Sequence, residues 1–215
     1  MEIIFFDLDG TLSDPKLGIT KSIQYALKRL NREVPPKNQL TWCIGPPLLG
    51  SFEIMLGCPD MAILGLKFYR ERFSKKGLYE NQLYPGILDM LDELKAKNLR
   101  LFVATSKPTV YAKRIIEHFN LGHYFCHIFG SELNGKYSDK SDLLKFALSE
   151  IVPPTKSFVM VGDRSHDIIG ALNNDGISIG VLYGYGSKEE LITAGANYIA
   201  STPEKLRETL ICLTK

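Results

Sequence analysis

The fold of this chain follows from its first predicted strand and the turn after it, Ile3-Ile4-Phe5-Phe6-Asp7-Leu8-Asp9-Gly10-Thr11. Four consecutive apolar residues are typical of a strand buried on both faces of a parallel sheet. Side chains two apart in an extended chain point to the same side, so Asp7 and Asp9 face one space. Two carboxylates repel each other by about 4 kcal/mol at about 4 Å and an effective dielectric near 20. The pair therefore predicts a bound cation or a shared proton.

The rest of the chain alternates between strand and helix patterns. Apolar runs suited to buried strands lie at Ile3 to Phe6, Leu99 to Ala104, Cys126 to Phe129, Ser157 to Val161 and Ile177 to Leu182. Segments with helical spacing of apolar residues separate most of these runs. This alternation predicts an α/β fold with a doubly wound parallel sheet and right-handed crossovers. Ligands of such sheets bind at the carboxyl ends of the strands.

One segment interrupts the alternation. Residues 16–83 show helical patterns but no convincing buried strand, between Asp14-Pro15 and Tyr84-Pro85-Gly86. Proline and glycine pairs of this kind mark boundaries. We therefore predict an all-helical inserted domain over 16–83 and a core formed by 1–15 and 84–215. An insert directly after the first strand would stand over the carboxyl end of the sheet.

Further polar side chains follow the later predicted strands. Thr105 and Ser106 follow the second, Asp163 follows the fourth, Asp167 lies one helical turn on, and Lys140 opens a helical run. Taken singly, each has an ordinary structural explanation as a helix cap or a solvated side chain. Taken together, they come in one order at one end of one sheet, which indicates a functional site.

Bulk composition excludes some classes of partner. The chain has 26 Lys and Arg against 24 Asp and Glu, which offers no electrostatic footprint for nucleic acid or an anionic membrane. No apolar run approaches the roughly 20 residues of a membrane span, and the start of the chain lacks a signal-peptide pattern.

The four cysteines form no CxxC pair, so we expect reduced, mostly buried thiols in a cytoplasmic protein. We expect a monomer by default, with a homodimer as the alternative.

Four motifs carry a family resemblance. Asp7-Leu8-Asp9-Gly10-Thr11, Thr105, Lys140 and the segment from Gly162-Asp163 to Asp167 resemble the motifs of haloacid dehalogenase superfamily phosphatases. The helical insert is similar to the cap of the phosphoglycolate phosphatase-like and β-phosphoglucomutase-like branches. The resemblance implies a Rossmann-like core, a mobile helical cap and hydrolysis of a phosphate monoester with Mg²⁺. Dehalogenases proper lack the second carboxylate of the first motif, so Asp9 favours phosphoryl transfer.

The resemblance also implies the metal ligands. Asp7 and Asp163 would bind Mg²⁺ directly, and the backbone carbonyl of Asp9 would be a third ligand. Asp167 would bind through water or support the other ligands. Oxygen ligands of this kind suit Mg²⁺, which neutralises both the phosphate and an anionic nucleophile.

The same resemblance gives each catalytic residue a role. Asp7 would attack phosphorus to form an aspartyl-phosphate, and Asp9 would act as general acid and then as general base. Thr105, with Ser106 and nearby backbone N–H groups, would hold phosphoryl oxygens, and Lys140 would offset negative charge.

Two of these assignments have an alternative that the sequence does not exclude. Lys136 competes with Lys140 as the lysine of the site, and we prefer Lys140 because it adjoins the predicted helix. Gly45, within Ile44-Gly45-Pro46-Pro47-Leu48, resembles the cap segment that reaches over the substrate, although a plain turn between helices explains it as well.

The expected function is hydrolysis of a small phosphorylated metabolite by a phosphoglycolate phosphatase-like enzyme. A sugar phosphomutase of the β-phosphoglucomutase type and a 5′-nucleotidase-type phosphatase are the alternatives, because specificity comes from pocket contacts that the motifs do not define. A non-catalytic binding module is disfavoured because it would have no need of Asp9. A receiver domain is excluded by the length and by the spacing of Asp7 and Asp9.

Overall fold

The core is a six-stranded parallel sheet with helices on both faces. The computed structural model describes residues 3–153 and 157–214. Its strands are β1 (Ile3–Phe6), β2 (Ser13–Asp14), β3 (Gln82–Leu83), β4 (Arg100–Pro108), β5 (Phe125–Ser131), β6 (Phe158–Gly162), β7 (Ile177–Val181) and β8 (Tyr198–Ala200). The main sheet has the order β5-β4-β1-β6-β7-β8, and every neighbouring pair is parallel. The predicted doubly wound α/β fold is confirmed.

The helices divide between the sheet and the insert. The insert contains α1 (Lys16–Arg29), α2 (Leu48–Leu56) and α3 (Pro59–Phe73), with 3₁₀ segments at Lys37–Cys43 and Gly77–Tyr79. The sheet is covered by α4 (Ile87–Ala96), α5 (Thr109–His118), α6 (Lys140–Glu150), α7 (Ser165–Leu172), α8 (Lys188–Thr193) and α9 (Pro203–Leu213). We call the segment between β2 and β3 the helical insert.

A short ribbon closes the base of the helical insert. Strands β2 and β3 pair antiparallel, with Ser13 opposite Leu83 and Asp14 opposite Gln82. The expectation of purely helical structure over 16–83 therefore fails at Gln82–Leu83. A two-residue strand leaves no alternating pattern in the sequence, which is why it was not predicted.

Strand β1 occupies the centre of the sheet and contributes to the core on both faces. Its neighbours are β4 and β6, so the order of strands reverses on either side of it. Ile4 and Phe6 pack on the face that continues into the helical insert, and Ile3 and Phe5 pack on the other. Full burial of a side chain such as Phe5 stabilises the fold by about 1.5–3 kcal/mol. The carboxyl end of β1 therefore opens at the switch point where such sheets bind ligands.

The cysteines are more exposed than the sequence predicts. The four cysteines are free, but only Cys43 is buried, whereas Cys126 and Cys212 are exposed. The expectation of mostly buried thiols is therefore wrong. Cys126 lies on β5, an edge strand of the sheet, and it points outward.

None of the helices in the described ranges is long and apolar enough to cross a membrane.

Candidate active site

The first two acids leave the sheet where β1 ends. Asp7 and Asp9 are both buried, and the backbone turns at Gly10, whose φ is +83°. A Cβ at Gly10 would lie 2.2 Å from Asp163 Oδ2. Glycine is needed here both for the left-handed backbone and for the close approach of Asp163.

The other two acids come from the end of β6 and the start of α7. Asp163 is fully buried, and its Oδ2 accepts a hydrogen bond of 2.7 Å from the Tyr185 N–H. The Oδ2 of Asp167 accepts a hydrogen bond of 3.1 Å from the Arg164 N–H, as part of a capping box. A Cβ at Gly162 would lie 2.1 Å from Asp167 Cγ, so Gly162 makes room for this carboxylate.

Three of these carboxylates form a buried cluster in which their negative charges repel one another. Asp7, Asp163 and Asp167 are buried, and each offers an oxygen within 4.8 Å of the others. Burial, together with the charges of Asp167 and Asp7, raises the pKa of Asp163 well above its ordinary value. Burial also raises the pKa of Asp167 to about 6, although the Lys140 ammonium opposes the shift. Such a cluster is stabilised by a cation.

Lys140 lies inside this cluster. Its Nζ is 2.7 Å from Asp167 Oδ1 and 3.1 Å from Asp7 Oδ1, and it donates a hydrogen bond of 2.8 Å to the Ala104 carbonyl. Burial alone would lower the pKa of Lys140, but the carboxylates of Asp167 and Asp7 raise it. Lys136 instead lies on the surface, with 58% of its side chain exposed, 3.7 Å from Glu132. The structure brings Lys140, and not Lys136, to the acids.

Thr105 and Ser106 lie near the carboxyl end of β4. Thr105 is buried, and its Oγ1 accepts a hydrogen bond of 3.3 Å from the Lys107 N–H. The Ser106 carbonyl accepts a hydrogen bond of 2.8 Å from the hydroxyl of Ser131 on β5. Ser106 also lines the cavity described below. Both residues therefore lie at the same end of the sheet as the acids.

Lys107 belongs to the site but was not singled out from the sequence. Its Nζ forms an ion pair of 2.6 Å with Asp9 Oδ2, and only 6% of the Lys107 side chain is exposed. Burial raises the pKa of Asp9, while the Lys107 ammonium opposes that shift. Strand β4 continues to Pro108 rather than ending at Ala104. A longer predicted strand would have placed Lys107 on the side of Thr105 by alternation.

A cavity of about 270 Å³ lies between the helical insert and the sheet. Its wall combines Asp9 and Lys107 with aromatic, apolar and polar residues, including Tyr69, Phe73, Tyr111, Leu66 and Arg70. Gly45 also lines it, at a φ of +102°. A Cβ at Gly45 would lie 2.8 Å from Arg164 Cγ, so this turn presses against the core.

Among the described residues of the helical insert, Arg70 is the basic one that lines the cavity. Arg72 and Lys21 both pair with Glu80, at 2.8 and 2.9 Å. Arg70 donates a hydrogen bond of 2.9 Å to the Leu133 carbonyl, and no carboxylate within the described ranges pairs with it. It is therefore a cavity-lining cation whose charge is available to an anionic ligand.

Comparison with known proteins identifies the family of this chain. Residues 4–181 match the model of the haloacid dehalogenase-like hydrolase family. A 5′-nucleotidase of Pseudomonas aeruginosa is 42% identical over 96% of this chain and 94% of its own. The tyrosine-protein kinase PtkA of Mycobacterium tuberculosis is 36% identical over 97% of this chain and 72% of its own. The crystal structure of a predicted phosphatase from Clostridium acetobutylicum superposes with a TM-score of 0.94 at 44% identity, covering 98% of each chain. The chain belongs to the haloacid dehalogenase-like hydrolase family, and it is a phosphatase.

Proposed function

We propose that the chain hydrolyses a phosphate monoester of a small metabolite through an aspartyl-phosphate on Asp7, with Mg²⁺ as cofactor. The observation that carries the proposal is the buried cluster of Asp7, Asp163 and Asp167 with Lys140 among them. A phosphate and a carboxylate repel each other, so attack by Asp7 requires positive charge, which Lys140 supplies in part and a bound Mg²⁺ would complete.

The residues present fit a magnesium ion. The donor set consists of oxygens, which this hard cation prefers. Lys140 pairs with two of the three buried carboxylates, Asp7 and Asp167. Asp163 Oδ1 has no hydrogen-bond partner in the described ranges. Asp7, Asp163 and the backbone carbonyl of Asp9 would hold the ion, with Asp167 in support. When bound, it supplies positive charge that offsets the phosphate and the acids.

The chain's own side chains then divide the reaction into two steps. Asp7 attacks phosphorus while the bond from phosphorus to the leaving oxygen breaks, and Asp9 gives that oxygen a proton. Asp9 next takes a proton from water, which attacks phosphorus and releases Asp7. Thr105 holds phosphoryl oxygens through both steps, and Lys140 offsets the charge shared with Asp7.

The cavity bears on which ester is hydrolysed. Phosphoglycolate is the smaller candidate, and its carboxylate would suit Arg70. A nucleoside 5′-monophosphate is the second candidate, because Tyr69, Phe73 and Tyr111 give the cavity an aromatic wall. The relative named 5′-nucleotidase supports the second candidate. A phosphomutase would differ from both in requiring a bisphosphorylated sugar activator.

Steady-state hydrolysis of p-nitrophenyl phosphate tests the proposal. We expect turnover by the wild type with Mg²⁺, and none by Asp7→Asn or by the wild type in the presence of a chelator. Turnover that survives both changes would contradict it. A panel containing phosphoglycolate, the nucleoside monophosphates, sugar phosphates and a tyrosine-phosphorylated peptide then ranks the substrates by kcat/KM. A small ester should rank first.

A further inference from the structure

The two oxygens of the Asp9 carboxyl group have different surroundings. Oδ2 forms the 2.6 Å ion pair with Lys107 Nζ. Oδ1 is buried and has no hydrogen-bond partner in the part of the chain that the structure describes. Asp9 also lines the cavity between the helical insert and the sheet. One oxygen is therefore held by Lys107, and the other is left without a partner in the part of the protein that the structure describes.

Lys107 is itself held from both sides of the cavity. Its backbone belongs to β4, where its N–H bonds Thr105 Oγ1. Its Nζ lies 4.6 Å from the ring centroid of Phe73, at the end of α3 in the helical insert. That ring is stacked on Tyr69 at 5.0 Å and is edge-on to Tyr111 at 5.7 Å. The ammonium thus lies between an acid of the core and an aromatic group of the insert.

The position of Lys107 argues against a role in holding the transferred phosphoryl group. The lysine beside Asp7 is Lys140, at 3.1 Å. In the described ranges, Lys107 makes its ion pair with Asp9 alone. A cation within about 6 Å of an aromatic face is attracted to it, and the attraction grows when water is excluded. The ring and the carboxylate together give the ammonium a defined place.

We propose that Lys107 is a positioning residue that orients Asp9, with Oδ1 toward the leaving-group oxygen, and that Phe73 of the helical insert keeps Lys107 in place. This inference rests on the proposed function, in which Asp9 donates the proton. Proton transfer needs the acid within about 2.6–3.2 Å of the oxygen it serves. A carboxyl group free to rotate would meet that requirement only part of the time.

The test compares two esters that differ in their need for an acid. Phenyl phosphate has a poor leaving group, whereas p-nitrophenyl phosphate releases its alcohol with little proton donation. General acid catalysis contributes about 10²–10⁴-fold. We expect Lys107→Met to lose about tenfold to a hundredfold in the single-turnover rate of phenol release from phenyl phosphate and less in that of nitrophenolate release, with KM nearly unchanged. Lys107→Arg should recover most of the loss, because it returns the charge.

Two further variants separate positioning from substrate binding. If Lys107 acts through Asp9, Lys107→Met should cause no further loss in an Asp9→Asn background, measured as the single-turnover burst of nitrophenolate. Phe73→Leu should lower the rate on phenyl phosphate more than the rate on p-nitrophenyl phosphate, as Lys107→Met does. If Lys107→Met does not fold, this variant tests the positioning role in its place. Lys113→Met, an exposed lysine on α5, is the matched control and should leave both rates unchanged.

Distinct results overturn the inference and the proposed function. A raised KM with unchanged kcat, or a further loss in the Asp9→Asn background, would make Lys107 a substrate-binding group and would overturn the positioning role. Equal loss on both esters in the single-turnover rate of alcohol release would overturn it as well. A wild type that hydrolyses neither ester would instead contradict the proposed function. A wild type with Asp7-dependent turnover, beside a fully active Lys107→Met, would contradict this inference alone.

Discussion

Replacing Lys140 by methionine removes the positive charge from the acid cluster while keeping an unbranched side chain of similar length. The lost ammonium lies 2.7 Å from Asp167 Oδ1 and 3.1 Å from Asp7 Oδ1. At an effective dielectric near 20, these separations correspond to attractions of about 6 and about 5 kcal/mol before the cost of burying the charges. Removing one partner of a buried pair destabilises proteins by about 3–5 kcal/mol, because the other charge stays uncompensated.

We therefore expect Lys140→Met to lower the free energy of unfolding by about 3–5 kcal/mol, measured by urea denaturation in the presence of a chelator. Added Mg²⁺ should recover part of the loss, because it offsets the same carboxylates. We also expect kcat to fall by about 10²–10³, the usual effect of removing one group that stabilises charge in the transition state.

Lys136→Met is the matched control for this experiment. Its side chain is largely exposed, beside Glu132, so the free energy of unfolding and kcat should both stay close to the wild-type values. A Lys140→Met enzyme within threefold of wild-type kcat, or a Lys136→Met enzyme that loses as much, would refute the assignment of Lys140 to the site.

Three further predictions follow from particular contacts. Gly162→Ala places a Cβ against the Asp167 carboxylate, so Mg²⁺ affinity measured by calorimetry should fall about tenfold to a hundredfold; unchanged affinity would count against Asp167 in the metal site. Thr105→Val keeps the shape but removes the hydroxyl, and kcat should fall at least tenfold; equal kcat would remove Thr105 from the phosphoryl site. Hydrogen bonds from Arg72, then Lys21, lower the pKa of Glu80 from 4.5 to about 2. Because this pKa is lower in the folded protein, ionised Glu80 stabilises the folded state above pH 4.5. That contribution is lost as pH falls toward 2 and Glu80 takes up a proton. The wild type should have a free energy of unfolding about 1 kcal/mol higher than that of Glu80→Gln at neutral pH. This difference should shrink as pH falls from 4.5 toward 2, and a difference that stays constant would contradict the ion pairs.

The fold was predictable where burial leaves a continuous pattern. Strand β1 has the predicted bounds, because a parallel strand covered on both faces consists of apolar residues alone. Strand β8 was missed, since Tyr198–Ala200 has three residues and Tyr198 is 43% exposed. An edge strand of this length resembles a loop in sequence. The ribbon of β2 and β3 was missed for the same reason.

The acids of the site could be predicted from the sequence because each lies shortly after the end of a predicted strand or one helical turn further on. Lys107 could not, because a buried lysine is explained only by its partner. Asp9 is distant from it in sequence, and the ion pair forms only when β4 and the end of β1 lie side by side. The same holds for Tyr69 and Arg70, which line the cavity through the packing of the helical insert on the sheet.

The central claim is that Asp7 carries the phosphoryl group between the two chemical steps. Its most direct test is a rapid acid quench of the wild type turning over p-nitrophenyl phosphate with Mg²⁺, followed by proteolysis and mass analysis of the peptides. The account predicts one added phosphoryl group on the peptide that contains Asp7, lost on treatment with hydroxylamine and missing from Asp7→Asn. Phosphorylation of another residue, or turnover with no phosphorylated peptide, would contradict it.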